Sequence, residues 1–357
     1  MELCSLPAAQ FPATTAGFQR KFRAWKSPTI RILQSSAFAA SDTRIKSQID
    51  GYNCNHPSNR MFILGMGYVG QFFAQQLMND GWSVSGTCMN IKKKEELEQK
   101  GFNVHVFDAC EPEWRILDIL RCYTHLLISI PPVEGIGDSA NSKIEISYEE
   151  KIWNILPDLH FEKILALAGI YGDSEGAWVD EDYLPKPSSK LGKMRLDAEE
   201  GWLKLGQDLG LSSYVFRLAG IYGPGRSAVD TILKKKPLSE GQKRRATRTF
   251  TSRVHVADIC QALKATISTR HQSKIYNVVD DDPASRAEVF AFALELIERK
   301  WPGLIDPAAF SIDTTQPNRG HKRVSNARIK KELGVRLFYP SYRSGLQSII
   351  DHMKDPI

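Results

Sequence analysis

The stretch "RMFILGMGYVG", residues 60–70, decides how the rest of the chain is read. Arg60 to Leu64 form a short apolar run of strand length, and the glycines at 65, 67 and 70 have the spacing G-x-G-x-x-G. The following "QFFAQQLMNDG" carries its apolar residues on one helical face and closes at Gly81. Strand, glycine turn and helix in that order are the context in which this spacing binds a dinucleotide. The turn is tight, the backbone can approach a pyrophosphate closely, and a helix N-terminus faces its charge. Gly65, Met66, Gly67, Tyr68, Val69 and Gly70 are therefore read as cofactor-binding.

Outward from this turn, "WSVSGTCM" gives a second strand, "KKKEELEQKG" a charged surface helix, "NVHVFDA" a third strand and "THLLISIPP" a fourth. "KILALAGIYG" and "SSYVFRLAGIYGPG" give two more, each ending in Gly-Ile-Tyr-Gly, an echo read as two strand ends meeting one cleft. Strands separated by helix-length segments predict an α/β fold, a doubly wound parallel sheet covered on both faces. About twenty residues past the glycine turn, an NAD-binding chain would carry an acid for the ribose 2′-hydroxyl. Here the second strand ends in Thr87, Cys88, Met89 and Asn90, followed by Lys92, Lys93 and Lys94. An acid would repel a 2′-phosphate, whereas a hydroxyl, an amide and lysines accept it, so the cofactor is read as NADP, with NAD the alternative. Thr87 and Asn90 join the cofactor set. Asp108 and Ala109 are placed at the adenine, and Ser129, Ile130 and Pro131 along the dinucleotide.

With 357 residues, 42% hydrophobic and 25% charged, the chain has ordinary globular proportions. The longest apolar run falls well short of the roughly 20 residues needed to span a bilayer, so no membrane partner is expected. Cys4, Cys54, Cys88, Cys110, Cys122 and Cys260 show neither a C-x-x-C pair nor metal-ligand spacing, so no metal site is indicated. Residues 1–59 stand apart: seven Lys/Arg against three acids, with eleven Ser/Thr and no compact apolar block. That is the composition of an organelle transit peptide, here assigned to the chloroplast stroma rather than the mitochondrion because it lacks an arginine-faced amphipathic helix. Most of the chain's formal charge of +6 sits in this leader. The charge is accordingly poor evidence for nucleic acid. The basic runs at 234–236 and 243–248 read as solvated loop, since no aromatic interleaving accompanies them.

"GMGYVG", "FDA", "LLISIPP", "AGIYGD", "GAWVDE", "FRLAGIYGPGR", "SRVHVADI", "YNVVDDDP" and "KRVSNARIKKELG" together resemble the extended short-chain dehydrogenase/reductase superfamily. This group contains nucleotide-sugar epimerases and dehydratases, and the resemblance is to its atypical, epimerase-like members of plant plastid type. It implies a dinucleotide-binding core over residues 60–225. A smaller C-terminal lobe over 226–357 would cover the substrate, with segments returning to the core.

The resemblance also implies a catalytic set of Ser or Thr, then Tyr-x-x-x-Lys. The tyrosine exchanges a proton with the substrate, the lysine lowers its pKa and holds the ribose, and the hydroxyl bonds the reacting oxygen. This chain has Leu167, Leu191 and Arg195 at those positions. Arginine keeps the charge but cannot be tuned as lysine can. Tyr171, Tyr183, Asp173 and Tyr222 are the candidate replacement acids; a one-turn shift would instead offer Lys190 or Lys193, neither with a tyrosine four residues before it. On the substrate side Arg217, Arg226, Arg253 and His255 carry the polar functions, and Tyr171, Tyr222, Arg226 and His255 are assigned to substrate, with Arg226 as the anion contact. Three readings follow: an enzyme acting on a nucleotide-sugar-like small molecule with rearranged catalytic residues, a catalytically silent NADP(H) sensor or scaffold, and an RNA-associated plastid protein. A homodimer is compatible with each.

Overall fold

The computed structural model describes residues 59–108, 119–130, 163–168, 171–234, 249–269, 273–306 and 322–356. Residues 1–58 of the leader, Ala109, Pro131, Gly169 and Ile170 of the first Gly-Ile-Tyr-Gly and the 243–248 basic run lie outside them.

Apolar side chains alternate to opposite faces of β1, Arg60–Leu64. Met61 and Ile63 enter one core while Phe62 and Leu64 enter another. A strand buried on both faces belongs at the centre of a parallel sheet. β1 lies there, with Met61 registered against Val84 of β2, Ser83–Cys88, and against His125 of β4, His125–Ile128. β3, Asn103–Val106, closes one edge beyond β2. On the other side β4 pairs with β5, Lys163–Ala168, which pairs with β7, Ser212–Leu218, and β10, Lys274–Val278, forms the far edge. The order β10-β7-β5-β4-β1-β2-β3, parallel throughout, is the doubly wound arrangement expected from the sequence.

The chain runs from β1 outward through β2 and β3, then returns to the opposite side of β1 as β4. That reversal opens a crevice beyond the strand ends between β1 and β4, where open α/β sheets bind their ligands. One face is covered by α1, Tyr68–Asn79, and α5, Val256–Ile267, which pack on Ile63, Leu127 and Tyr276. On the other face Trp202 of α3, Lys190–Asp208, packs on Phe62, Ile164 and Val215. α2, Ile91–Glu98, is a surface helix with only Leu97 buried.

One expectation is revised. "SSYVFRLAGIYGPG" is not a single strand: β7 ends at Leu218, and Gly220–Tyr222 leaves the main sheet as β8 to pair with β9, Arg253–His255. Its partners then lie in the C-terminal part. There α4, Ala228–Leu233, α6, Arg286–Lys300, and α8, Tyr342–His352, enclose a third core of Val229, Ile232, Phe290, Leu296 and Leu346. A further two-stranded element joins β6, Trp178–Val179, to β11, Arg323–Val324, just before α7, Ala327–Leu333. Among the described residues no helix is long and apolar enough to cross a membrane.

Candidate functional site

The three glycines divide their work as the motif requires. Gly65 has φ +97°, a left-handed conformation that disfavours a side chain, and an added Cβ would press on Ile130 and Ser129. At Gly70 a Cβ would stand 2.5 Å from the Gly65 carbonyl oxygen, so glycine there lets α1 pack directly on the turn. Gly67 differs: a Cβ would meet nothing within 4 Å. Neither strain nor packing demands a glycine at that position, whereas close approach of a ligand to its backbone would. Gly67 is also the N-cap of α1, with no side-chain cap and no acid in the first turn. The helix therefore presents uncapped N–H groups and its positive end to the crevice.

The turn is pinned from beneath. Thr87 Oγ1 accepts a hydrogen bond from Gly65 N at 2.9 Å, and the Thr87 carbonyl accepts one from Met66 N at 2.7 Å. The Met66 side chain fills the space left by Gly86, where a Cβ would clash with it. Thr87 is fully buried, so its assignment as a ribose contact is corrected: its hydroxyl shapes the glycine turn. Asn90 caps α2, its Oδ1 accepting from Lys93 N at 2.9 Å. Lys93 and Lys94 pair with Glu96 and Glu98 at 2.8 and 3.6 Å, while Lys92 has no ion pair among the described residues. Beside them Met89 and Ile91 are 74% and 68% exposed, an apolar margin at the end of β2. Asp108 lies exposed just past β3.

On the β4 side of the turn is a cleft of about 280 Å³. Gly67, Tyr68 and Val69 form one wall, and Ser129, Ile130, Leu167, Leu218, Ala219 and Ile221 much of the rest. Two guanidinium groups border it, Arg195 from α3 and Arg226 from the turn after β8. Arg226 lies over the Tyr68 ring, 5.3 Å from its centre. Arg195 has neither a hydrogen bond nor an ion pair among the described residues. The structure thus brings Leu167 and Arg195, the positions read as equivalent to the hydroxyl residue and the lysine, to the glycine turn. Leu191 lies one helical turn before Arg195, 37% exposed and outside the residues that line the cleft. The hydroxyls in the lining are Ser129 and Tyr68, and Tyr68 donates to the Pro224 carbonyl at 3.0 Å with its pKa pushed up by burial.

The replacement acids fare differently. The Tyr171 hydroxyl lies 2.7 Å from the Asp180 carbonyl and 2.8 Å from Asn277 Oδ1, and accepts from Arg217 Nη1 at 2.8 Å. Arg217 forms a buried two-pronged ion pair with Glu199 of α3, at 3.1 and 2.5 Å. Its Nη1 also donates to the Glu181 carbonyl, while Glu181 Oε1 accepts from Asn277 N at 2.7 Å. Tyr171, with its pKa raised by burial, is therefore a strut in a closed network. Expected as a replacement acid and substrate contact, Tyr171 lines neither cavity, and Arg217 likewise serves the fold. Asp173 accepts from Glu175 N in a local turn, and Tyr183 is exposed in its loop, lining neither cavity. Lys190 and Lys193 lie in the first turn of α3 and line neither cavity.

A second cavity, of about 580 Å³, shares Ile221 and Arg226 with the first and continues into the C-terminal part. Arg226, Lys234, Arg253 and Arg286 line it with Phe290 and Tyr342, buried rings over which Arg286 and Arg253 lie. Asp230 is the one acid among its described lining residues: Oδ2 accepts from the Ser227 hydroxyl at 2.5 Å, while Oδ1 is buried without a hydrogen-bond partner among the described residues. The Tyr342 hydroxyl is orphaned in the same way. Tyr222 lines this cavity, not the first, its ring held beneath Gly345. His255 does not reach either cavity. Its Nδ1 caps α5 by accepting from Ala257 N at 3.2 Å, and its ring packs between Tyr222 and Tyr339. Burial pushes its pKa down to about 4, so the substrate assignment of His255 is replaced by a structural one. Sequence reading missed Asp230, Arg286, Phe290 and Tyr342, which come from distant helices and form no local motif.

No family model matches the chain. The protein YeeZ of Escherichia coli K12 is 25% identical over 288 residues, 79% of this chain and 96% of its own length. A functionally unknown conserved protein from Silicibacter pomeroyi DSS is 32% identical, with a TM-score of 0.61 over 84% of this chain and all of that one. The fold is shared with the UDP-glucuronic acid 4-epimerase of Bacillus cereus, solved with UDP-glucuronic acid and NAD, at 16% identity and a TM-score of 0.61 over 82% of this chain and 98% of that one. The chain belongs to the family of the Silicibacter protein.

Proposed function

We propose that this member of that family is an epimerase/dehydratase-like protein that binds a nicotinamide dinucleotide, preferring NADP(H), beside a nucleotide-sugar-like ligand, without the proton exchange on which its enzymatic fold relatives depend. The observation that carries the reading is the open space at Gly67 on an uncapped helix N-terminus, facing a cleft in which Arg195 stands for lysine and Leu167 for the hydroxyl. Gly65, Gly67, Val69 and Gly70 would hold the pyrophosphate, Ser129 and Ile130 the cofactor's course past β4, and Arg195 the nicotinamide ribose. Asn90 and Lys92 favour a 2′-phosphate, because no acid ends β2. When bound, the nicotinamide supplies hydride transfer; the chain's own part would be to place a proton at the substrate oxygen. Missing general acid–base groups cost about 10² to 10⁴ in rate and a missing oxyanion donor about 10² to 10³.

The second cavity supports the ligand class. Its cations suit phosphates, and Asp230 Oδ1 a donating hydroxyl or imide. The intact cavity is also what favours the second reading, an enzyme whose proton passes by another route. The test is to saturate the protein with NADPH or NADP⁺, add UDP-sugars one at a time, and follow ligand binding and nicotinamide absorbance together. Binding without an absorbance change is expected. Cofactor turnover at an enzymatic rate would replace the silent reading with the second.

The basic, hydroxyl-rich leader supports delivery to the chloroplast stroma. A fusion of residues 1–59 to a reporter that fails to enter isolated chloroplasts would count against it.

A further inference from the structure

The first cleft lies on the β4, β5 and β7 side of the glycine turn, with β2 and β3 on the other. A dinucleotide whose pyrophosphate sits at the turn and whose adenosine half lies toward β2 puts its nicotinamide in this cleft. The charged side chains lining it are Arg195 and Arg226, and among the described lining residues there is no carboxylate. Around them are Ile130, Leu167, Leu218 and Ala219, apolar side chains that offer the two guanidinium groups no compensating charge. Asp230, whose charge acts on Tyr68, lines the second cavity and accepts from the Ser227 hydroxyl. Glu199, lower on α3, is neutralised by Arg217.

Oxidised nicotinamide is a pyridinium cation and reduced nicotinamide is neutral, so the two forms of one dinucleotide differ by a single positive charge on the ring. A lysine beside such a cation can relieve the repulsion by losing its proton, whereas arginine keeps its charge at any pH a protein survives. Arg195, without a counter-ion among the described residues, makes that repulsion permanent, and Arg226 adds to it from across the cleft. We infer that the Arg195 and Arg226 pair makes this cleft selective for the reduced form of the dinucleotide, an inference that rests on the dinucleotide-binding reading above. With no carboxylate among the described lining residues to accompany hydride transfer, the bound reduced cofactor is retained, and occupancy reports the reduced fraction of the pool.

Equilibrium titrations of the full chain with NADPH and NADP⁺, and separately with NADH and NAD⁺, test this through ratios within each pair. The reduced form should bind about tenfold or more tightly at low ionic strength, and the ratio should shrink with added salt. Arg195→Gln and Arg226→Gln should each lower the ratio, and Arg195→Lys should keep it near neutral pH but lose it as pH rises and the lysine gives up its proton. Both positions are solvent-accessible, so these variants leave the cores untouched. Equal or tighter binding of the oxidised forms, or a ratio indifferent to both Gln variants, overturns the selectivity while leaving dinucleotide binding intact. Failure of all four nucleotides to bind removes the selectivity together with the reading beneath it.

Discussion

Tyr171 has a phenol whose single proton lies between two acceptors, Asp180 O and Asn277 Oδ1, while Arg217 donates to its oxygen. A group so committed holds the wall below the cleft. Tyr171→Phe should therefore cost about 1 kcal/mol of stability, the usual net worth of a hydrogen bond, and leave dinucleotide affinity unchanged. Arg217→Met should cost about 3–5 kcal/mol by stranding the buried Glu199 carboxylate. Denaturant titration of both variants checks the pair, and a loss of nucleotide affinity in Tyr171→Phe at unchanged stability would return the tyrosine to the site. The sequence could show that a tyrosine follows β5 but not where its hydroxyl points. That direction is set by Asn277 and Asp180, which are near only in the fold. Arg195 was legible because its i, i+4 position on one helix needs no tertiary information.

At the level of elements, the β1-turn-α1 unit was the most readable part of the chain, because each glycine has a separate physical reason that acts within a few residues. The β2-to-α2 corner was less so. Thr87 and Asn90 are both polar and both precede a lysine run, yet one is buried under the turn and the other caps a helix. Sequence spacing does not distinguish the strand's inward face from its end. The Glu96 and Glu98 pairings leave Lys92 as the cation without an ion pair among the described residues at that corner. Lys92→Ala should weaken NADPH about fivefold to tenfold, as expected for the loss of one charge-assisted phosphate contact, and leave NADH within twofold. Equal losses for the two would remove the 2′-phosphate from this corner. The separation of β8 from β7 was not legible, since an apolar run does not announce which sheet it joins.

Across the whole molecule, stability should respond to a buried carboxyl, Asp280, whose oxygens receive no side-chain hydrogen bond among the described residues. Burial pushes its pKa up to about 8, from an ordinary 3.8. The fold therefore prefers the protonated form, and the native state holds more protons than the unfolded one between those values. Stability from this group falls as pH rises toward 8 and is level above it. His125 and His255, held near pKa 4 by burial, act in the opposite direction but only below their ordinary 6.5. Between pH 6.5 and 8 the wild-type chain should lose stability to urea, and Asp280→Asn should flatten that slope. An unchanged slope would locate the titration elsewhere. No sequence pattern marks Asp280, which follows β10 among other acids.

The central claim is that the glycine turn is a working dinucleotide cradle, and Gly67 tests it most directly because an added Cβ there meets no described protein atom within 4 Å. NADPH titration of the wild-type chain and of Gly67→Val, with unfolding curves for both, is the measurement. The account predicts saturable one-to-one binding by the wild type, a loss of about tenfold or more in the variant, and a variant that stays folded with a stability cost of no more than about 2 kcal/mol, that of replacing an N-cap glycine. No saturable binding by the wild type, or equal binding by a folded Gly67→Val, would contradict it.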